Sequence, residues 1–382
     1  MVRYKRILDL SALLDRKSAF LFGARSTGKT SLYRETLNPA RVYDLLNAAT
    51  LRRLRERPSL IYEECLSKGE LIVIDEVQKI PGLLDEAHRT IEDKKARFLM
   101  TGSSARKLKR SQSNLLGGRA TQAELLPLTS REIPEFDLFR YLNCGGIPRH
   151  YLASPKQIEG ELDDYASLYL KQEILDEALT RSLEGFTRFL EIMALHSGDE
   201  LAIENFASDC GIKASTFRNY LDILKDTLLG FEAPPFLATR KRKAITRSKI
   251  YLFDVGVAGF LSHRGTLAPK NPLTGKAFEH FIAMEIRAFL SYRRIRQPLT
   301  YWRSASQFEV DFLIGRELAV EVKASELVHE RMLRGLRALR EEKLIKNYVV
   351  ASFDPRRRVV DGIEIVPWPE FLDKLWSGHW VS

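Results

Sequence analysis

Apolar positions early in the chain come in short runs. Ala19-Phe-Leu-Phe22, Leu71–Ile74 and Phe98–Met100 are each three or four residues of strand-forming hydrophobes. That is the length of a buried strand and far short of the roughly 20 apolar residues that cross a bilayer. Ser31–Leu37 has the helical period, so strand, loop and helix follow one another, and the pattern predicts an α/β unit. Pro127-Leu-Thr-Ser-Arg-Glu-Ile-Pro134 closes it with two prolines. Residues 135–185 read as helices around a turn at Asn143–Pro148. Phe186–His196, Ile203–Asp209 and Ser215–Leu229 then give three apolar-periodic helices. Cys210–Lys213 is the tight turn between the last two, and Ser215 is placed to cap the third. A hairpin is expected from Phe236–Thr239 and Lys249–Phe253, with Arg240–Lys243 at its tip. A helix from Lys276 to about Leu290, strands at Leu299–Trp302, Phe308–Ile314 and Glu317–Val322, and a helix at Leu327–Glu342 predict a second α/β unit. The boundaries implied are 1–134, 135–185, 186–262 and 263–382, in keeping with a length of 382 residues, which exceeds one ordinary core.

Composition adds direction. Hydrophobic residues are 45% and charged residues 29%, a usual globular balance. Three scattered cysteines, Cys65, Cys144 and Cys210, indicate neither a disulfide framework nor a thiolate metal site. No apolar stretch follows the first residues as a secretory signal requires, so a cytoplasmic location is expected. The net charge of +10 favours an anionic partner. Basic residues gather at Arg106–Arg119, Arg240–Lys249, Arg287–Arg296 and Arg356–Arg358, none on a helix with a lipid-seeking apolar face. The expected partner is therefore nucleic acid, duplex DNA in the first instance, and no membrane. Each run taken alone is equally a solvated surface.

The loop after the first strand carries the most specific chemistry. Gly23-Ala-Arg-Ser-Thr-Gly-Lys-Thr30 has the G-x-x-x-x-G-K-S/T pattern between strand and helix. Gly23, Ala24, Arg25, Ser26, Thr27, Gly28 and Ser31 would offer backbone N–H groups to phosphate oxygens at the positive end of a helix. Lys29 would reach the β- and γ-phosphates, and the Thr30 hydroxyl would ligate Mg²⁺. Leu71-Ile-Val-Ile-Asp75-Glu76 ends a hydrophobic strand in two acids: Asp75 to hold the metal through water, Glu76 to activate the attacking water. The expected ligands are ATP and Mg²⁺, and an acid at Glu76 points to hydrolysis. The strand Arg97–Gly102 leads into Ser103 and Ser104. Ser103, beyond the strand end, is preferred to Thr101 as the hydroxyl between the acids, a turn serine being the plain alternative. Arg119, on a glycine turn, is either an arginine finger, in cis or from a neighbouring subunit, or a structural ion pair.

Helix–turn–helix followed by a basic hairpin is a winged-helix pattern. Arg218, Asn219 and Lys225 decorate the last helix and Arg240, Lys241, Arg242 and Lys243 form the tip; Arg218 and the four tip residues are the candidate DNA contacts. Winged helices serve equally as packing modules. Further on, Asp311, Glu321 and Lys323 have the Asp-x₉-Glu-x-Lys spacing across a hairpin, with Glu279 on the preceding helix. This resembles the PD-(D/E)xK nuclease core. Asp311 and Glu321 alternate inward and would share a Mg²⁺, and Lys323 would hold a water for phosphodiester attack. Glu285 lies on roughly the opposite side of its helix.

Taken together, Gly-Ala-Arg-Ser-Thr-Gly-Lys-Thr, Val-Ile-Asp-Glu-Val-Gln-Lys, Leu-Met-Thr-Gly-Ser-Ser-Ala-Arg and Leu-Gly-Gly-Arg resemble a prokaryotic family of AAA-plus ATPases. In that family the ATPase domain is joined to a winged helix and a restriction-endonuclease-like C-terminal domain. The resemblance implies a five-stranded parallel sheet, Ser103 as sensor, Arg119 as finger, and homo-oligomers. Ala24 and Ser26 stand where the family often has Pro and Gln, positions that contact phosphate through the backbone. The leading expectation is a nucleotide-regulated DNA-binding ATPase, with Mg²⁺-dependent cutting undecided. The alternative is an NTPase switch whose C-terminal domain docks a protein.

Overall fold

The computed structural model describes residues 4–104, 106, 116–170 and 183–381. Most of the basic run after Arg106 and residues 171–182 of the helical stretch lie outside the described residues.

The first unit begins with α1 (Leu10–Leu14), started by Asp9, whose carboxylate accepts the Ala12 N–H. Strand β1 (Ser18–Phe22) is buried along its whole length and runs into α2 (Lys29–Thr36). The turn between them depends on glycine twice. Gly28 has φ 97°, which an L side chain resists, and a Cβ on Gly23 would press into the Leu125 carbonyl oxygen. Then come β2 (Arg41–Asp44), α3 (Ala48–Glu56), α4 (Leu60–Glu64), β3 (Leu71–Asp75), α5 (Leu83–Lys94), β4 (Arg97–Gly102) and β5 (Ala120–Glu124). Asn47 caps α3 by accepting from the Ala49 and Thr50 N–H groups. The five strands lie in the order β2-β3-β4-β1-β5, all parallel. Fully buried Ile72, Val73 and Ile74 on β3 and Phe98, Leu99 and Met100 on β4 show why the runs read as continuous hydrophobes: helices cover both faces.

The middle of the chain is helical: α6 (Leu138–Cys144), α7 (Pro148–Leu152), α8 (Ile158–Asp164), α9 (Leu183–Leu195), α10 (Ile203–Asp209) and α11 (Ala214–Asp226). Proline opens α7 at its first position, where no N–H is needed. Ser215 does not cap α11; the helix starts one residue earlier, after Lys213, without a side-chain cap. The hairpin also differs from expectation. Its strands are β6 (Gly230–Ala233) and β7 (Lys249–Leu252), antiparallel, with Gly230 opposite Leu252 and Ala233 opposite Lys249. The segment 234–248 between them runs along the neighbouring unit, described below. Helix α12 (Val255–Leu261) follows, capped by Asp254, which accepts from the Gly256 and Val257 N–H groups.

The last unit packs α13 (Thr274–Tyr292) on a six-stranded mixed sheet. Its strands are β8 (Leu299–Arg303), β9 (Glu309–Ile314), β10 (Leu318–Lys323), β11 (Asn347–Ser352), β12 (Arg358–Val360) and β13 (Ile363–Pro367), in the order β12-β13-β11-β10-β9-β8. Helices α14 (Arg334–Arg340) and α15 (Trp368–Ser377) complete it. The helix expected from Leu327 starts late because Val328 is held elsewhere: its N–H donates to Asp354 (3.1 Å) and its carbonyl accepts from Arg358 (2.7 Å). One hydrophobic cluster joins Leu126, Leu128, Tyr141, Ala233, Tyr251, Phe281, Phe312 and Trp376, so the core of the last unit continues through the hairpin and α6 to the edge of the first.

Candidate nucleotide site and the C-terminal acidic cluster

The carboxyl end of the parallel sheet gathers the nucleotide residues. Lys29 is buried, its ammonium donating to the carbonyls of Gly23 (2.6 Å) and Ala24 (3.2 Å). Asp75, buried at the end of β3, accepts from three hydroxyls: Thr30 (3.0 Å), Tyr33 (3.0 Å) and Thr101. Burial, and then the Asp75 charge, push the Tyr33 phenol up to about 12, so it stays a donor. Glu76 has φ 62°, and its N–H donates to the Thr101 hydroxyl (3.2 Å). Thr101, whose side chain points from β4 across to β3, is thus the hydroxyl set against the Asp75 carboxylate and the Glu76 backbone. Ser103 accepts from Gln78 Nε2 (3.2 Å), which also donates to Glu76 (2.5 Å). Gln78 and Tyr33 escaped the sequence reading; the only local signal was their spacing, two residues after Glu76 and three after Thr30.

Several contacts tie this end of the sheet to the rest of the molecule. Arg25 and Ser26 are exposed, whereas Ala24 is buried with Ile147 and Tyr165, and the Tyr165 hydroxyl donates to the Arg25 carbonyl (3.1 Å). Arg6, nearly inaccessible, donates to the Thr27 carbonyl (2.7 Å), the Leu126 carbonyl (2.6 Å), Glu132 (2.9 Å) and the Tyr292 hydroxyl (3.1 Å). Burial works against its charge, but Tyr292 and Glu132 outweigh it and raise its pKa. Beyond Ser103, the Ser104 hydroxyl accepts the Arg106 N–H (2.9 Å). The buried Arg106 guanidinium meets Asp226 at the end of α11 (2.9 Å).

Arg119 does not belong to the site of its own chain. It precedes β5, opposite the start of β1, and pairs with Glu92 on α5. Five residues of strand, roughly 17 Å, separate that end of the sheet from the loop before α2. A finger role in cis is corrected on that ground.

The candidate DNA contacts are only partly free. Arg218 is exposed on α11 and meets Glu204 (2.8 Å). Lys225 is tied to Glu232 (2.9 Å) and Asp222 (3.3 Å). Arg240, Lys241 and Lys243 are exposed, but the tip itself is docked. Backbone N–H groups of Arg240, Lys241 and Arg242 all donate to the Glu342 carboxylate (2.8–3.1 Å). The Arg242 guanidinium donates to the Ala338 carbonyl (3.0 Å) and Glu341 (2.8 Å), at the negative end of α14. Pro235 and Ala244 bridge to Tyr301 and Ser304, so segment 234–248 follows the free edge of β8.

On the C-terminal sheet Glu279, Asp311, Glu321 and Lys323 do come together, with company the sequence did not announce. Lys249 of β7 enters the cluster, its ammonium 2.7 Å from Glu309 and 3.1 Å from Glu279, which also accepts from the Tyr251 hydroxyl (2.7 Å). Asp311 accepts the Val322 N–H (2.7 Å), and Glu321 faces Lys323 at 2.5 Å. Burial, with Asp311 adding to it, pushes the Glu279 and Glu321 carboxyls up. Burial opposes the charge on Lys249 and Lys323, but the surrounding acids outweigh it and both are raised. Among the described residues no group of three or more His, Cys, Asp or Glu side chains is disposed to hold a metal ion. With two ammonium groups inside it, this cluster does not fit a divalent ion, and the pairing of Asp311 and Glu321 as Mg²⁺ ligands is corrected accordingly. Glu285, as expected, faces elsewhere: it accepts from the Ser130 N–H (2.6 Å) and the Trp376 indole (2.8 Å).

A parallel sheet in this order, with a phosphate-type loop after β1 and an acid pair after β3, defines a P-loop nucleotide-binding domain. Residues 15–134 match a family model described as an AAA domain, in keeping with this parallel sheet. Residues 135–268 and 274–371 match two models, each described as a domain of unknown function. Uncharacterized protein Rv2008c of Mycobacterium tuberculosis is 28% identical over 364 residues, covering 92% of this chain and 80% of the relative. Uncharacterized protein MJ1544 of Methanocaldococcus jannaschii is 24% identical over 339 residues, covering 79% and 73%. Among solved structures, the Aeropyrum pernix ORC1 protein in complex with DNA superposes with TM-score 0.28 at 15% identity, over 69% of this chain and 93% of that one. Protein VC1899 from Vibrio cholerae gives 0.21 at 10%, over 95% and 97%. Superpositions this loose assign nothing further. No helix among the described residues is long and apolar enough to cross a membrane.

Proposed function

We propose that this protein binds and hydrolyses Mg-ATP, and that its nucleotide state sets how the helical and C-terminal units engage nucleic acid, duplex DNA first. The observation that carries the reading is the meeting of Thr30, Asp75, Glu76 and Lys29 at one end of the sheet, with Thr30 and Asp75 already 3.0 Å apart. Thr30 and Asp75 would hold Mg²⁺, which neutralises charge on the β- and γ-phosphate oxygens. The amides from Gly23 to Ser31 receive phosphate oxygens, and the Lys29 ammonium leaves its two loop carbonyls for them. Glu76 takes the proton of the attacking water, aimed by Gln78 and fixed at its backbone by Thr101. Arg119 serves the site of a second copy, which makes a homo-oligomer part of the reading. The Ser104–Arg106–Asp226 path and the Ala24–Tyr165 packing support transmission to α11 and α8.

The nucleic-acid surface comprises Arg218 with the exposed Arg240, Lys241 and Lys243. A second reading, an NTPase switch whose C-terminal unit docks a protein, is favoured by the docking of the hairpin tip on Glu342. No cutting step is drawn from the acidic cluster. The experiment pairs two measurements. Lys29→Ala should lose ATP turnover, and persistence of wild-type turnover removes the ATPase reading. Duplex binding by anisotropy should weaken steeply with salt, by a slope of about −0.9 per phosphate neutralised. A flat salt response selects the switch reading.

A further inference from the structure

Leu333-Arg-Gly-Leu-Arg-Ala-Leu-Arg340 repeats a triplet of leucine, arginine and a small residue through α14. Leu333, Leu336 and Leu339 are buried against the C-terminal sheet. The small residues seat the helix low, Gly335 so close to the Glu309 carbonyl oxygen that a Cβ has no room. The arginines are left outside. Residues three apart are neighbours on a helix surface, so Arg334, Arg337 and Arg340 form one ridge, rising about 4.5 Å per step. The same spacing continues to Arg331 before the helix and to Lys343 and Lys346 after it. Arg337 pairs with Glu330 and Asp361, but Arg331, Arg334, Arg340 and Lys343 are exposed and make no ion pair with a described residue. Other helices neutralise their arginines: Arg89 on α5 has Glu86 and Asp93, Arg188 on α9 has Glu184, and Arg218 on α11 has Glu204. Like charges stacked along one ridge repel one another, so α14 carries an imbalance that its own chain leaves uncorrected.

The hairpin tip lies against the same helix. Beyond the grip of Glu342 on its backbone, the Thr239 hydroxyl closes the turn on the Arg242 carbonyl (2.8 Å). The Arg242 side chain runs back along α14 to the Ala338 carbonyl, and its guanidinium lies 5.3 Å from the centre of the Phe308 ring. The Arg334 guanidinium lies 5.9 Å from the same ring. Tip and helix thus meet across one aromatic side chain, with Arg240, Lys241 and Lys243 standing beside the ridge on a backbone already held in place. We infer that α14 and the docked tip form one phosphate-tracking face for duplex nucleic acid, with Arg334 and Arg340 at its centre. The inference rests on the nucleic-acid reading above and moves the main contact from Arg218 to the C-terminal unit. A duplex fits this face better than an acidic protein does. Every exposed side chain from 331 to 346 and from 240 to 243 is charged, whereas a protein partner buries apolar side chains at the middle of its interface. Cations at a regular step match phosphates at a regular step, and such contacts fix position and affinity without reading sequence.

The test uses full-length protein and a fluorescein-labelled DNA duplex of mixed sequence, read by anisotropy over a range of salt concentrations. Arg334→Gln with Arg340→Gln removes two phosphate contacts. The salt slope should become shallower by about 2, and at about 0.1 M salt the affinity should fall about tenfold or more. Arg334→Lys with Arg340→Lys keeps both charges and should keep the slope. Arg52→Gln with Arg55→Gln, on exposed arginines of α3 in the first unit, removes the same charge elsewhere. It should shift affinity by less than about threefold, since charges beyond a Debye length are screened. All these side chains are exposed, so the melts of the variants should match that of the wild type. A wild type with a steep salt response and a Gln pair on α14 that binds equally well overturns this inference and leaves the nucleic-acid reading standing. So does an α3 pair that weakens binding as much as the α14 pair. A wild type that binds no duplex at any salt removes that reading and this face with it, and capture of polyglutamate without duplex assigns the face to an acidic protein instead.

Discussion

Replacing Arg6 by methionine keeps much of the stem and removes the guanidinium. The side chains of Arg6 and Glu132 are 6% and 0% exposed, so the pair is out of water. Without Arg6, Glu132 retains the Ile7 N–H (2.8 Å) and Thr129 N–H (2.9 Å) but no counter-charge. Leaving one partner of a buried pair unpaired costs about 3–5 kcal/mol. The carbonyls of Thr27 and Leu126 also lose their donor, at about 1 kcal/mol or more each. We expect Arg6→Met to lower stability to urea by about 4 kcal/mol or more, and Glu132→Gln in that background to recover part of it. The double-mutant cycle should give a coupling of about 2 kcal/mol. Because Thr27 lies in the phosphate loop, calorimetry should show weaker ATP binding in the folded fraction. An Arg6→Met protein within about 1 kcal/mol of wild type, or an additive cycle, refutes the reasoning.

Two further outcomes follow from burial. The Glu285 carboxyl is pushed up to about 7 by burial, so its stabilising contribution is complete below about pH 4.5 and is lost as pH rises through 7. His150 and His280, held down to about 4 by burial, act in the opposite sense, losing theirs as pH falls from about 6.5 towards 4. Glu285→Gln should therefore make the stability gained between pH 4.5 and 7 larger than in wild type by roughly 3 kcal/mol, and parallel curves would contradict this. Gly335→Ala should cost about 3 kcal/mol, because a Cβ there collides with the Glu309 carbonyl oxygen, which as backbone cannot swing aside. A melt unchanged from wild type would show that α14 can shift away from β9.

What the chain disclosed by itself was whatever short-range pattern determines. The loop Gly23–Thr30 needs only its own residues and the flanking strand and helix, and Asp75-Glu76 needs only the end of β3. Helix α10 falls on Ile203–Asp209 as the period indicated. The hairpin was misread because Phe236 and its neighbours looked like a strand, yet Phe236 packs against the core of the C-terminal unit. The true strand Gly230–Ala233 carries one glycine and one acid in four residues and hardly looks like one. Ser103 was preferred to Thr101 on position along the strand, whereas which side chain crosses to β3 depends on strand pairing. Arg6 and Lys249 take partners more than 100 and about 30 residues away, and no local pattern encodes such distances.

The strip 234–248 along β8 has a consequence for dissecting the molecule. Without it, β8 becomes a bare edge strand with unpaired N–H and C=O groups, the surface on which sheets of separate molecules join. A fragment starting near Thr274 would also uncover apolar surface that Tyr251, Ala233 and Leu128 now shield. Such a fragment should self-associate rather than behave as a free-standing body. Any cut intended to isolate it needs to begin upstream of Gly230.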